Sequence, residues 1–203
     1  MYEIFSRTFV PDDGRAAVPI EGGADSWFSA LVHGLGGRSF NRGLYRIVSP
    51  DDSTAWSERL AMAFPEFTDR LTCFGYDWLG RAFALDGRRQ QEGEPAVLML
   101  EPGTGQALEL PCNLRTFHEN ELIDFADAAL AVDFHASWLR AGGGVPNLRQ
   151  CVGYKTVLFL GGTDELANLE LTDLDVYWHV TGQLRVKTRG LKPGARIGGI
   201  ERA

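Results

Sequence analysis

The chain has 203 residues, of which 44% are hydrophobic and 23% charged, with a formal charge of −7 and a pI near 5.1. That length can bury a sizeable core in one large or two small domains, and the composition is globular rather than disordered. The negative charge argues against general binding to nucleic acid or anionic membranes, whose phosphates repel it, and is compatible with a basic partner.

In chain order, the first twenty residues contain no apolar core of signal-peptide length, and no later run approaches the roughly 20 apolar residues that span a bilayer. "DSWFSALVHGLGG" spaces Trp27, Leu31 and Leu35 on one helical face, with Asp25 as its expected cap and glycine as its stop. "GLYRIVS" has strand composition. "SPDDSTAWSERLAMAF" predicts a helix that opens at Pro50, places Asp51 and Asp52 at its positive dipole end and stops at Pro65. Four strands follow, "LTCFGYD", "GRAFALD", "AVLMLEP" and "QALELPC", the last two joined by the hairpin signal "GTGQ". With no helix between them they pair antiparallel, so the expected class is α+β, mainly an antiparallel sheet with helices packed on it.

From Thr116 the pattern turns helical. Thr116 and Glu119 have capping-box spacing, and Phe117, Leu122, Phe125, Ala129 and Leu130 are candidates for a core face. A further helix through Phe134, Trp138 and Leu139 ends at Gly142-Gly143-Gly144, which without a following Lys-Ser/Thr reads as a helix stop rather than a phosphate loop. "CVGYKTVLFLGG" then reads as a buried strand. The expected organisation is a region over 1–115 and a smaller α/β region over 116–203.

Residues that could carry chemistry are scattered. Cys73, Cys112 and Cys151 sit in apolar settings without C-x-x-C spacing, as buried thiols of a reducing cytoplasm do. His33, His118, His135 and His179 form no H-x-x-x-H pair and read as polar residues at element edges. No G-x-S-x-G elbow and no dinucleotide fingerprint is present, so the sequence calls for no catalytic residue, metal or cofactor.

Two stretches stand out. "LGGTDELANLELTDLDVYW" carries Asp164, Glu165, Glu170, Asp173 and Asp175 and no positive charge. Asp173 can cap a helix in which Val176, Trp178, Val180 and Leu184 make the apolar contacts. The remaining carboxylates can be solvated charge, a partner surface, or a hard-cation or acid–base site whose spacing departs from the calcium-loop pattern. Five bases follow, Arg185, Lys187, Arg189, Lys192 and Arg196, which can pair with that run inside the fold. "YDWLGRAFALD" is open to two readings. It is an aromatic–arginine binding anchor involving Asp77 and Arg81, or a hairpin whose Trp78 and Phe83 fill the core while Arg81 pairs with Asp77 or Asp86.

"GLYRIVSPDDSTAW", "FGYDWLGRAFALD" and "GYKTVLFLGGTDELANLELTDLDVYWHVTGQL" resemble a bacterial family once classed as domain of unknown function 1851. Its members pair a GAD-like N-terminal region with the C-terminal domain of type VI secretion DNase-immunity proteins. The likeness runs from about residue 27 to 200 and is most specific over 153–184. It implies a GAD-like region over 1–115, an immunity-type C-terminal domain over 116–203 and a cytoplasmic protein that neutralises a cognate toxin, a nuclease effector, without chemistry of its own. On this reading Gly161, Gly162 and Trp178 shape the backbone, and the acidic residues of the run contribute to the toxin-binding surface. A general intracellular interaction module, or a metal-dependent hydrolase built on the scattered Asp, Glu and His residues, are the alternatives.

Overall fold

Continuous apolar runs through the middle of the chain produce a sheet buried on both faces. The computed structural model describes residues 1–15 and 26–191. Strands β1 (Ser39–Phe40), β2 (Tyr45–Ile47), β3 (Leu71–Asp77), β4 (Ala82–Gln91), β5 (Glu94–Glu101) and β6 (Gln106–Asn113) form a six-stranded meander in which every neighbour is consecutive and antiparallel. The four strands expected between 71 and 112 are all present, and the α+β class holds. The helices are α1 (Glu3–Thr8), α2 (Trp27–Leu35), α3 (Ser53–Ala63), α4 (Leu114–Thr116), α5 (Leu122–Asp124), α6 (Ala126–Leu130), α7 (Val132–Arg140) and α8 (Leu174–Thr188). A separate antiparallel pair, β7 (Gln150–Tyr154) and β8 (Leu169–Asp173), lies between α7 and α8 in sequence.

The pleat sends successive residues to opposite faces. Phe74, Phe83, Val97 and Met99 join one core with Phe5, Leu31, Phe117, Leu122 and Leu130. Cys73, Ala82, Ala84, Leu98 and Leu100 join the other with Trp56 and Leu60 of α3 and Trp178 of α8. Helices cover both faces, which is why "AVLML" is a continuous apolar run rather than an alternating one. Both cores draw on residues from either side of position 115.

Several local expectations hold. Pro50–Asp52 makes a tight turn capped by Ser49 before α3, and Phe64-Pro65 ends that helix. All three cysteines are buried free thiols. At α2 the cap is Ser26, whose Oγ accepts the Ser29 amide at 3.1 Å; Asp25 lies outside the described residues.

Others are corrected. The capping box sits one turn earlier than expected. Asn113 Oδ1 accepts the Thr116 amide and Thr116 Oγ1 accepts the Asn113 amide, both at 3.0 Å. Glu119 instead accepts the amides of Ile4 at 3.3 Å and Phe5 at 3.4 Å, so it serves the start of α1. Phe125 is 59% exposed because the backbone breaks there, at φ −127 and ψ 33, which resets the helical phase between α5 and α6. The strand expected over 151–162 stops at Tyr154. The Asn168 side chain then ties the chain into a loop, accepting the Thr156 amide at 3.0 Å and donating to the carbonyls of Thr156 and Thr163 at 2.8 Å each. Gly162 is required in this loop, since a Cβ there would lie 1.8 Å from the Thr156 carbonyl oxygen.

His118 and His135 are not edge residues; both are buried. His118 is fully enclosed among Tyr2, Phe5, Tyr45, Phe74 and Phe117. Its Nδ1 lies 2.9 Å from the Leu114 carbonyl and its Nε2 3.0 Å from the Tyr45 hydroxyl. A carbonyl can only accept, so Nδ1 carries the proton and Nε2 accepts from Tyr45. Burial holds the imidazole down to about 4, against an ordinary 6.5. The unfolded chain therefore takes up this proton first on acidification. The contribution is complete above pH 6.5 and is lost as pH falls toward 4, by roughly 3 kcal/mol for this residue. Urea titrations at stepped pH should show stability falling across that window, with the slope reduced in His118→Leu; an unchanged slope would contradict the assignment.

Candidate functional site

α3 and α8 run side by side and parallel on one face of the sheet, with Arg59, in the second half of α3, pairing with Asp175 in the first turn of α8 and Glu66 pairing with Arg185 beyond the end of α3. Sequence determines the limits of α8. Asp173 Oδ1 accepts the Val176 amide at 3.0 Å, Asp175 stands in the first turn, and Arg185 and Lys187 in the last, each sign placed against the opposite end of the helix dipole. Trp178 anchors the helix, fully buried, with its indole N–H donating to the Gly80 carbonyl at 2.8 Å. Gly182 permits the close crossing, because a Cβ there would lie 2.8 Å from the Ala63 Cβ.

N-terminal to that crossing, the two helices enclose a groove of about 420 Å³ lined by Ala55, Glu58, Arg59, Met62, Asp175, Val176 and His179. Arg59 stacks on Trp56, its guanidinium carbon 4.3 Å from the ring centre. Burial holds Arg59 below the usual arginine range, opposed by carboxylates that include Asp52 and Asp173. Asp175, which pairs with Arg59, remains largely solvent-facing, with a side chain 76% exposed. Val176 is 55% exposed, so the apolar contact expected of it inside the fold is absent and it forms part of the groove instead. The groove thus combines an apolar floor with an acidic rim, a surface suited to a partner that presents both basic and apolar side chains.

Of the predicted acidic residues, Asp173 and Asp175 belong to this end of α8. Asp164 is exposed beyond β7 and accepts the Tyr154 hydroxyl at 2.6 Å. Glu165 is exposed just before the turn at Leu166–Asn168, and Glu170 is exposed on β8 opposite Gly153. The run is therefore spread over a loop, a strand and a helix start. Among the described residues, no group of three His, Cys, Asp or Glu side chains could hold a metal ion.

Asp77 and Arg81 are buried against each other, Arg81 Nε donating to Asp77 Oδ2 at 2.6 Å. That geometry is the paired-hairpin alternative, with Trp78 and Phe83 in the core, and leaves neither side chain open to a docked surface. Asp86 pairs with Arg70. Within the basic stretch, Arg185 and Arg189 both pair with Glu66 rather than with the acidic run; Lys192 and Arg196 lie outside the described residues. Sequence reasoning passed over Glu58, Arg59 and Met62. Ala55, Glu58 and Met62 do form a stripe at helical spacing, but nothing local announces that α8 lies beside it.

Residues 117–185, which contain all five predicted acidic positions and most of α8, match the family model described as T6SS immunity protein Tdi1, C-terminal. A crystal structure of Atu4351 from Agrobacterium tumefaciens aligns with 90% of this chain and 89% of its own, with a TM-score of 0.58 at 16% identity, and shares the fold. No curated protein matches the chain. No helix among the described residues is long and apolar enough to cross a membrane.

The cap of α8 gives a direct check on the acidic residues that are structural. Asp173→Ala should lower unfolding stability by about 1 kcal/mol through loss of the cap. Asp175→Ala, which removes the solvent-exposed partner of the Arg59 ion pair, should cost about 0–1 kcal/mol. Equal losses above about 2 kcal/mol would show Asp175 to be a folding residue rather than an exposed charge paired with Arg59.

Proposed function

We propose that this protein is a type VI secretion immunity protein that binds a cognate toxin in the cytoplasm of the cell that makes both, and blocks the toxin's active or substrate-binding surface. The observation that carries this reading is the match of residues 117–185 to the immunity family, a segment that includes α8 and the acidic run. The toxin is inferred to be a nuclease. An enzyme that binds DNA offers a basic face to phosphates, and an acidic inhibitor uses the same potential to arrive quickly and in register. The net charge of −7 is consistent with that partner and with no direct nucleic-acid contact by the protein itself.

The contact surface centres on the α3–α8 groove, with Glu58, Asp173 and Asp175 meeting basic side chains and Val176 and Met62 supplying apolar contact. Asp164, Glu165 and Glu170, exposed on the loop and strand that precede α8, extend the acidic field and contribute to encounter more than to the final lock. Inhibition of this kind needs complementarity only, so no catalytic residue, metal or cofactor enters.

Purified chain should form a tight complex with the product of the neighbouring toxin gene and stop that toxin from degrading DNA. Glu58→Lys/Asp175→Lys should slow association about tenfold or more at low salt and flatten its salt dependence, whereas Asp164→Lys/Glu165→Lys should have a smaller effect on association alone. Full protection against the toxin with unchanged affinity in all four reversed positions would remove this acidic surface from the interface. Failure of the wild-type chain to bind would remove the immunity reading for that toxin.

A further inference from the structure

A second pocket, of about 430 Å³, lies between the turn at 41–44 and α7, away from the acidic run; its lining includes Asn41, Arg42, Leu44, His135, Leu139 and Arg140. Its charge is opposite to that of the protein as a whole. Arg42 makes no ion pair or side-chain hydrogen bond among the described residues, and Arg140 bonds only to its own helix, through the Ala136 carbonyl and the Ser137 hydroxyl. Asp12 bonds to the turn's backbone rather than to the Arg42 guanidinium, its carboxylate accepting the amides of Arg42 at 2.6 Å and Gly43 at 2.8 Å. That clamp holds a turn in which Asn41 and Arg42 both adopt positive φ, 52° and 61°, a conformation costly for side-chain-bearing residues and kept only where neighbours impose it.

The wall residue His135 is 5% exposed, its ring 5.1 Å from that of Trp78, and its Nε2 has no hydrogen-bond partner. A buried polar atom left unpaired calls for an explanation. Burial holds this imidazole down to about 4, so it is neutral near pH 7, and the neighbouring Arg42 backbone favours the proton on Nδ1. Nε2 is then left as a lone-pair acceptor. His135 lines the pocket, so a shift of its ring can bring Nε2 to a ligand there.

We propose that this pocket binds a small phosphate monoester carried on an apolar body. The phosphate oxygens take the guanidinium groups of Arg42 and Arg140, neither in an ion pair among the described residues; such groups suit oxyanions by geometry as well as by charge. The monoanionic form also keeps one P–O–H that can donate to Nε2, which a carboxylate lacks; with a second pKa of about 6, part of the ligand is in that form near neutrality. Leu44 and Leu139 accept the apolar body, and the volume is that of a small-molecule site.

The test is calorimetric titration of the full chain with phenyl phosphate, inorganic phosphate and benzoate, alongside NMR of the His135 ring nitrogens. The expected result is saturable one-site binding of phenyl phosphate, about tenfold or more tighter than benzoate or inorganic phosphate, with a shift of the His135 Nε2 resonance. Arg42→Ala/Arg140→Ala should weaken it about tenfold or more while circular dichroism and melting temperature stay at wild-type values. No saturable binding, equal binding of benzoate, or an unmoved His135 resonance on the wild-type chain would overturn the proposal. So would undiminished binding in the folded double variant.

Discussion

Arg46 and Asp77 are charged, completely buried and joined, and the arrangement of the C-terminal half depends on them. The Arg46 guanidinium lies over the Tyr76 ring, 4.6 Å from its centre, and donates to the carbonyls of Asn147 at 3.0 Å and Gln150 at 2.6 Å and to that of Asp77. Asp77 in turn accepts the amides of Leu79 at 3.0 Å and Arg81 at 2.9 Å, and pairs with the Arg81 side chain, which donates to the Ala129 carbonyl at 3.0 Å. One network thus ties β2, the β3–β4 turn, α6 and the loop entering β7. Breaking one partner of a buried charged pair typically costs about 3–5 kcal/mol, because the other charge is left stranded. The indole N–H groups of Trp78 and Trp178 finish the same junction, bonding to the Leu130 and Gly80 carbonyls.

This junction explains how the protein can offer a fixed surface. The meander is held between two cores, and its β3–β4 turn receives both the segment leading into β7 and the buried face of α8. α8 is then set parallel to α3, and the groove between them takes its shape from Trp178, Gly182 and the Arg59–Trp56 stack. An inhibitor gains from such rigidity, since a surface organised in advance loses less conformational entropy when its partner docks. On the proposed function, carboxylates at the groove supply the field that guides the encounter.

Much of this could be read from the chain because the signals were local. Pro50 and Pro65 bound α3, the hairpin residues 103–106 set the β5–β6 turn, and Asp173 marks the start of α8. What could not be read depends on neighbours distant in sequence. Glu119 has the spacing of a local cap, yet serves amides 114 and 115 residues away. Phe125 carries core chemistry but falls on a backbone break, and Val176 has the same spacing as a buried residue while facing the groove. The acidic run was visible as charge. Its division into a cap, a paired aspartate and exposed carboxylates needed the loop held by Asn168, and the role of Glu58 needed the position of α8. Asp77 and Arg81 are the sharpest case. Residue types that suit a binding anchor serve here as the internal brace, because local sequence does not encode depth.

The most direct measurement is hydrogen exchange on the protein alone and in complex with the proposed toxin partner, read peptide by peptide. The account predicts slowed exchange on complex formation in peptides covering 51–62 and 170–180, the two sides of the groove, with little change across β4 and β5. Protection confined to the opposite face, around α2 and 114–140, with the groove peptides exchanging as in the free protein, would contradict it.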